Sequence, residues 1–451
     1  MRRIGSIKLL LTTLVVLLIG FSSVQGQYLW NSDSAFKAGA TNSGRLWGYV
    51  FGDYYYKPHS DSLARGGGNQ YTGIPQSRNT FQFRRIYLGY DYNISQKFSA
   101  ELLLAAEDNF PAFNPPSSTA ASGDALSNSK ETFFIKLANV RVKNLWKGTD
   151  LIVGEQTTPG FAMLTEKVWN YRSIERTIAD IRRTPSYDMG AGLQGVFDPK
   201  TKNLGYNLLV ATGNSDKPAS NSFKWFSGDV YAFFANKKLI VDVYADYQRL
   251  NWQSGWHHDR QMLKGFIAYN TQPITIGVEA FINNIRADTK DIPFKGTGIA
   301  DTISTKASGI SFYVHGDIMP NKLRYFARID LYNPNKNFSK SDSTIAGISS
   351  PAGYMTPGYK MTISPSTGSP TAATSTGDPS SKETFFTIGL DYTPFKNVHF
   401  EPNIWYNHYN SQLAQPLGVP SGLNNANHDM VWRLTFFYVF GKTYKNTYNQ
   451  L

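Results

Sequence analysis

Few residues of this chain stand at spacings that could support covalent chemistry. Gly190, Gly192 and Gly195 spell the G-x-G-x-x-G pattern of dinucleotide-binding turns, but no strand closely precedes them and no helix follows. The seven histidines are scattered, and His257 and His258 fall in a short predicted loop without the partners that a metal site needs. The chain has no cysteine, which excludes thiolate metal sites, haem attachment and cysteine nucleophiles. We therefore predict no catalytic residue, no metal site and no cofactor.

One segment, Thr165 to Arg183, carries a helical period and many charges. Its apolar residues recur at steps of three and four, at Val168, Tyr171, Ile174, Ile178 and Ile181. Its charged residues include Lys167, Arg172, Glu175, Arg176, Arg182 and Arg183. This pattern predicts a short amphipathic helix, ended by Pro185, that packs its apolar face against a wall and presents its charges to a cavity. A solvated surface helix is the alternative.

The rest of the chain after residue 26 alternates polar and apolar residues with the period of β-strands. Ile274, Ile276 and Val278, for example, are set against Thr275 and Glu279. Sixteen strands are predicted, near 44–57, 79–93, 97–109, 131–143, 150–157, 188–198, 204–213, 225–236, 238–251, 259–271, 273–287, 306–319, 321–333, 382–394, 397–409 and 429–441. Most are long enough for the about 9–11 residues of a tilted membrane strand.

The connections between these strands alternate between short and long. Short turns such as 94–96 and 320–321 separate long segments such as 58–78, 158–187 and 334–381. Membrane barrels of the outer-membrane type have short turns on one side and long loops on the other, whereas a secreted soluble β-sandwich has no reason to keep this alternation. An open sheet edge has no hydrogen-bond partners in lipid, so the sheet must close. We therefore predict an all-β fold, a transmembrane antiparallel β-barrel of about sixteen strands with a lumen wide enough for water.

Aromatic residues make up 14% of the chain and are predicted to form girdles where the barrel meets the membrane surface. Tyr90, Tyr92, Tyr269 and Tyr392 stand just before short turns. Two further groups are assigned to the girdles, Trp47, Tyr49 and Phe51 on the first strand and Trp432, Phe436, Tyr438 and Phe440 on the last. The alternative is an aromatic protein core.

The first residues of the chain have the order of a secretory signal peptide. Arg2, Arg3 and Lys8 accompany an apolar run from Leu9 to Ile19, which is too short for a membrane helix of about 20 residues. We expect a signal peptide over 1–26 and a single barrel domain over 27–451.

The net charge of the chain is +12, which would favour binding to nucleic acid, acidic membranes or anions. Export of the protein argues against nucleic acid.

Five stretches of the chain resemble the phosphate-selective porin O and P family. In the third-loop region the similar stretches are Val153 to Pro159, Ser173 to Arg176, Tyr187 to Gly190 and Leu193 to Gly195. Phe83 to Gly89 is similar to the early strand motif of that family. The resemblance implies a homotrimeric porin in the outer-membrane lipid of a Gram-negative bacterium, whose third loop folds inward as a constriction. The resemblance also implies that Arg172, Glu175 and Arg176 lie near that constriction.

Strand parity puts a mixed set of charges on the lumen face. The predicted pore-wall residues are Arg85, Glu101, Lys264, Arg324, Arg328 and Arg433. Further acids such as Asp242 and Glu279 share this face, so the wall is not a continuous row of basic residues. A phosphate site is therefore not predicted. We expect passive diffusion of small hydrophilic solutes, with any preference for anions set by the bases of the third loop. A channel specific for sugars, phosphate or other nutrients, and a non-conducting structural or adhesive barrel, remain alternatives.

Overall fold

A computed structural model describes residues 41–61, 69–72, 74–107, 133–182, 185–215, 217, 221–253, 256–290, 302–337, 359–363, 370–375, 382–410 and 427–445. The strands are β1 Ser43–His59, β2 Asn79–Asn93, β3 Phe98–Glu107, β4 Phe134–Trp146, β5 Thr149–Thr157, β6 Tyr187–Val196, β7 Leu204–Ala211, β8 Trp225–Phe234, β9 Leu239–Gln253, β10 Trp256–Asn270, β11 Ile274–Lys290, β12 Thr302–Met319, β13 Leu323–Asn333, β14 Tyr359–Ile363, β15 Pro370–Ser375, β16 Lys382–Phe395, β17 Val398–Asn410 and β18 His428–Lys445. Two helices lie between β5 and β6, α1 Thr165–Trp169 and α2 Ile178–Ile181. The predicted signal segment lies outside the described residues.

Sixteen of these strands form one closed antiparallel barrel, which confirms the predicted fold class and strand number. Each barrel strand pairs with the next along the chain, except that β13 pairs with β16 because β14 and β15 form a separate hairpin. The barrel closes where β1 pairs with β18, in a register that sets Phe51 opposite Phe437. Closure leaves the barrel without an edge strand, so every strand has a partner on both sides.

The two faces of the barrel strands differ as the alternation predicts. Outward side chains such as Val243, Leu263 and Phe312 are about half exposed, whereas the inward Asp242 and Lys264 are buried. Burial of these charges in the interior, with apolar groups outside, is the reverse of a water-soluble β-protein. The wall is therefore built for an apolar surrounding and a polar interior.

Two connections differ from the sequence-based expectation. Only residues 254 and 255 separate β9 from β10, and His257 and His258 belong to β10 rather than to a loop. The hairpin β14–β15 falls in the long segment between β13 and β16, where only a surface loop was expected. Gly190, Gly192 and Gly195 lie within β6, which gives no dinucleotide-binding turn.

The predicted girdle residues point outward on the last strand, but on the first strand they point inward, so the prediction was wrong there. Trp432, Tyr438 and Phe440 point outward from β18 and are 40–50% exposed. Tyr49 and Phe51 of β1 face the interior, on the same side as the buried Asp53. The aromatic residues at the start of β1 therefore line the lumen rather than the lipid surface, because its outward positions carry Leu46, Gly48, Val50 and Gly52.

The segment between β5 and β6, residues 158–186, is called loop 3 below. The two short helices replace the single helix predicted from the 3.6-residue period. Asn170 adopts a left-handed conformation with φ of 59° and ends α1, and turns lead from there to α2. Of the predicted apolar residues, Val168, Tyr171, Ile174 and Ile178 are nevertheless buried, and Ile181 is partly exposed. No helix in the described part of the chain is long and apolar enough to cross a membrane.

The closed ladder of sixteen strands predicts a detergent-resistant fold. The backbone hydrogen bonds of the ladder are made between the strands themselves, so detergent alone cannot replace them at low temperature. Unheated protein should migrate differently from boiled protein in detergent gels, and its circular dichroism should be that of β-sheet. Identical migration of the two samples together with a helical spectrum would contradict the barrel.

Candidate functional site

Loop 3 packs against one part of the inner wall. Trp169 and Tyr171 form an apolar cluster with Tyr313 and Phe326, and the rings of Tyr171 and Phe326 are 4.5 Å apart. A second cluster joins Phe161, Ile178 and Ala179 of the loop to Tyr244, Met262, Phe281, Ala307 and Tyr332 of the wall. Loop 3 therefore covers the inner face of β9 to β13. Since aromatic side chains bury about 150–250 Å² each, this packing favours the inward position strongly.

Basic side chains of the wall bind the backbone of the loop. Arg84 Nη1 donates to the carbonyl of Ser173 at 2.5 Å, Arg433 Nη2 to that of Ile174 at 2.6 Å, and Arg328 Nη1 to that of Arg176 at 2.6 Å. These carbonyls belong to turns and have no strand partner, so a buried donor is needed to satisfy them. The guanidinium groups thus hold residues 173–176 in place.

Polar side chains add further anchors between loop and wall. Trp405 Nε1 donates to Glu175 Oε2 at 2.8 Å, and Ser173 Oγ donates to Glu401 Oε1 at 3.1 Å. Burial alone would raise the pKa of the Glu175 carboxyl, but Arg176, Arg84 and Arg433 and the hydrogen bond from Trp405 outweigh it and lower the pKa. Glu175 is therefore an ionised anchor of the loop.

Two β-bulges bring extra cations into the lumen. The β1–β2 register passes from Phe51↔Arg85 to Gly52↔Phe83 and omits Arg84, and the β3–β4 register omits Lys136 in the same way. A bulge residue escapes the alternation of the strand. Arg84 and Lys136 are both buried, beside neighbours that already face inward. Alternation in the sequence assigns these two residues to the lipid face, which is why it could not find them.

Two cavities lie along the part of the lumen that the loop does not fill. An inner chamber of about 300 Å³ is lined mainly by β1 to β6, β17 and β18. An outer chamber of about 350 Å³ is lined by Arg85, Glu107, Arg176 and Asp180 among others. Both chambers are lined by Arg172, Ser186 and Tyr187. These three residues border both chambers, and the place where they lie is called the constriction below.

Arg172 is paired with acids rather than free at this constriction. Its Nη1 binds Asp180 Oδ2 at 2.7 Å and also binds Glu166. Arg176 is more loosely placed, 3.9 Å from carboxylate oxygens of both Glu175 and Asp180. Burial raises the pKa of the Glu166 carboxyl although Arg172 acts in the opposite direction, so this acid loses its charge more readily than an exposed glutamate.

Near Arg172 the wall supplies a second ionic group. Glu107 binds Lys136, and Arg85 Nε lies 3.6 Å from Glu107 Oε2. Tyr87 donates its hydroxyl to the same carboxylate at 2.5 Å. The constriction is therefore bordered by two networks of interleaved bases and acids, one from loop 3 and one from β2 to β4.

The other predicted residues of loop 3 lie at different places. Lys167 lines the inner chamber. Arg182 lies away from both chambers, where its Nη2 binds Glu383 Oε2 at 2.7 Å and its guanidinium stacks on the ring of Tyr332. Arg183 lies outside the described residues. The predicted set of constriction charges is thus divided, and Arg172 is the member that borders both chambers.

The six predicted wall residues all face the interior, but only half line the chambers. Arg85, Glu101 and Arg324 do so. Lys264, Arg328 and Arg433 lie beneath loop 3, with no more than 5% of their surface exposed. Lys264 binds Asp242 and Thr165, and the two arginines hold the loop carbonyls. For these three the prediction of an open pore wall was wrong, because the alternation of a strand cannot show what covers it.

One group of side chains in the inner chamber has donor atoms suited to a metal. Asp391, His399 and Glu401 each place one ligand atom within 4.8 Å of the others. His399 Nδ1 lies 2.8 Å from Asp391 Oδ1, which makes an imidazole–carboxylate hydrogen bond without any ion. Sequence analysis predicted no metal site, because these residues come from two strands and match no ligand motif.

Comparison with solved structures finds outer-membrane channels. The chain is similar to the outer membrane channel DcaP of Acinetobacter baumannii, with a TM-score of 0.55 and 10% identity over 90% of this chain and 100% of that one. It is also similar to an anion-selective porin from Comamonas acidovorans, with a TM-score of 0.52 and 10% identity over 88% of this chain and 99% of that one. At this identity the likeness establishes the fold. No protein-family model and no curated protein matches the chain.

Weaker packing of loop 3 against the wall should alter the width of the passage while the barrel stays closed. Tyr171→Ala removes a buried ring from the contact with Phe326, at a cost of about 3–5 kcal/mol to the loop packing. We expect a larger and noisier single-channel conductance in planar bilayers. Phe312→Ala is the matched control, because Phe312 is an outward ring of the same wall. A Tyr171→Ala protein that folds and keeps the steady wild-type conductance would show that the ring does not hold the loop.

Proposed function

We propose that this protein is an outer-membrane porin through which small hydrophilic solutes diffuse passively, with a modest preference for anions. The observation that carries the proposal is the constriction where Arg172 borders both chambers. The apolar outer face of a closed barrel suits lipid, because a closed barrel is one of only two folds that satisfy the backbone there. No catalytic role is proposed for any residue.

The charges along the passage favour anions by a small margin. The inner chamber is lined by six basic residues, Arg45, Lys136, Arg141, Lys167, Arg172 and Arg324. Four acidic residues share that lining, Glu101, Glu166, Asp391 and Glu401. The outer chamber has three bases, Arg85, Arg172 and Arg176, against Glu107 and Asp180. An ion at the constriction passes within a Debye length of these groups, about 8–10 Å, so salt screens them incompletely.

The same counts argue against a dedicated phosphate channel. Every base near the constriction has an acid beside it, so a multiply charged anion would meet carboxylates as well as cations. The resemblance to the phosphate-selective porin O and P family is therefore not extended here to phosphate specificity. A general anion-preferring porin fits the mixed lining better.

Removing the charge of Arg172 should move ion preference toward cations. Arg172→Gln leaves Glu166 and Asp180 without the cation that they share. One unit charge about 8 Å away in water changes the energy of an ion by about 0.5 kcal/mol, so the chloride-to-potassium permeability ratio should fall about twofold or more. The reversal potential under a potassium chloride gradient measures this ratio.

Two controls separate local charge from other effects. Lys200→Gln removes an exposed charge in the β6–β7 turn and should leave the reversal potential unchanged. Arg182→Gln should lower stability, since it leaves the buried Glu383 without its cationic partner, and should not alter selectivity. If Arg172→Gln folds, conducts and keeps the wild-type reversal potential, then Arg172 is not the ion filter.

We also propose that the porin is a homotrimer, as the family resemblance implies. The outward faces of β1 and β18 are apolar, with Leu46, Tyr54, Trp432 and Leu434 all exposed in the monomer. A shallow outward groove of about 700 Å³ continues this surface across β17, β16 and β13. Such a concave apolar face suits the convex wall of a second copy.

Native mass measurement in mild detergent tests the assembly. We expect three copies, and Trp432→Arg should weaken the assembly because it sets a charge in the apolar contact. Phe312→Arg is the matched control on a strand outside the groove. A monodisperse wild-type monomer in several mild detergents would exclude the trimer while leaving the channel proposal intact.

A further inference from the structure

Aromatic rings line one side of the inner chamber from its inner end to the constriction. On β1 the rings of Trp47 and Tyr49 are 6.3 Å apart with planes inclined by 13°. Tyr49 lies 4.3 Å from Tyr87 of β2, and Tyr187 stands at the constriction itself. All four residues line the chamber, and we call them the aromatic path. Tyr49 and Tyr87 are only 8% and 1% exposed and back the path, whereas Trp47 and Tyr187 are partly exposed.

A glycine fixes the position of the first ring. Trp47 stands opposite Gly89 in the β1–β2 register. A Cβ atom on Gly89 would collide with the indole ring, so only glycine lets that ring lie over the backbone of β2. The backbone of the wall therefore fixes the position of the Trp47 ring beside the chamber.

Cations alternate with the rings along this path. The guanidinium of Arg45 lies 5.6 Å from the Trp47 ring centre. Lys136 Nζ lies 5.2 Å from the ring of Tyr87 and 4.6 Å from that of Tyr187. Arg45 is fixed by Asp91 and Lys136 by Glu107, so neither side chain must be ordered when a solute arrives.

This arrangement exceeds what simple anion diffusion requires. Charge alone selects inorganic ions, whereas ring faces interact with flat apolar groups through stacking and with cations through their quadrupole. A solute that carries both a flat ring and a negative group would contact both components of the path. A chloride ion would use only the cations.

We infer that the inner chamber binds small organic anions that carry a flat apolar ring, such as aromatic carboxylates, on their way through the constriction. The inference rests on the proposed channel function and adds a substrate class to it. The ring stacks on Trp47 and then on Tyr187, and the carboxylate pairs with Arg45 and then with Lys136 or Arg172. Several weak contacts in sequence allow binding without trapping, which conduction requires.

Benzoate and cyclohexanecarboxylate test the inference, because they have the same charge and similar size but only benzoate is flat. We expect benzoate to reduce the potassium chloride current of single wild-type channels in a saturable way. Its half-blocking concentration should be about threefold to tenfold lower than that of cyclohexanecarboxylate, the range expected for one aromatic contact. Benzyl alcohol, a neutral ring, should block more weakly than benzoate.

Variants locate the effect on the path. Trp47→Leu should remove the difference between the two carboxylates, whereas Trp47→Phe should keep most of it. Phe312→Leu, on the outward face of β12 and outside the groove, should behave as wild type. Arg45→Gln should weaken block by both carboxylates to a similar degree. Gel migration of unheated samples reports folding for each variant.

The outcomes separate this inference from the proposed function. If both carboxylates block the wild-type channel equally, the inference is overturned but the proposed channel function is not. This outcome does not depend on whether Trp47→Leu folds. Block by benzyl alcohol equal to that by benzoate overturns the requirement for a negative charge. A wild-type protein that folds but carries no current overturns the channel proposal itself.

Discussion

The backbone of loop 3 has carbonyl groups but no strand partner, and inside a barrel such groups must find buried donors. Arg84, Arg433 and Arg328 supply those donors to three carbonyls, those of Ser173, Ile174 and Arg176. The position of the loop, and with it the course of the passage, depends on these bonds. Each guanidinium is itself held by the wall, for example Arg328 by Asp330 at 2.5 Å. Apolar side chains of loop 3 then cover the inner face of β9 to β13. The chambers are therefore left mainly along the other strands of the wall.

Formal charge is a poor guide to the charge that a solute meets in this lumen. Lys264 with Asp242, and Arg328 with Asp330, neutralise each other under loop 3 and are lost to the passage. Near the constriction the pairs remain in contact with the chambers, but bases and acids are still side by side. Ion selectivity in such a passage comes from small local differences between the numbers of bases and acids. A single distant charge has little effect on it, because salt screens that charge.

The sequence predicted the barrel well because period-two alternation is imposed by the wall itself, residue by residue. All sixteen strands lie near their predicted ranges. The same rule failed at Arg84 and Lys136, where a bulge adds one residue and reverses the face. It also could not show that Lys264 lies beneath another segment. Helical spacing in Thr165 to Arg183 correctly found the buried apolar residues, but turns around Asn170 bury the same positions without a continuous helix. Pairing of Arg172 with Glu166 and Asp180 depends on the loop path, which no local period encodes.

The β1–β18 ladder joins the two most distant strands of the chain, with partners such as Phe51 and Phe437. Contacts of such long sequence separation form late, since a large loop must close before any bond rewards it. Without this pairing β1 would have an unpaired edge, and the ring of Phe437 would not lie beside that of Phe51. The strand that carries the first rings of the aromatic path therefore has neighbours on both sides only in the closed barrel. The inner chamber depends on the same closure, because Phe437 and Val439 of β18 also line it.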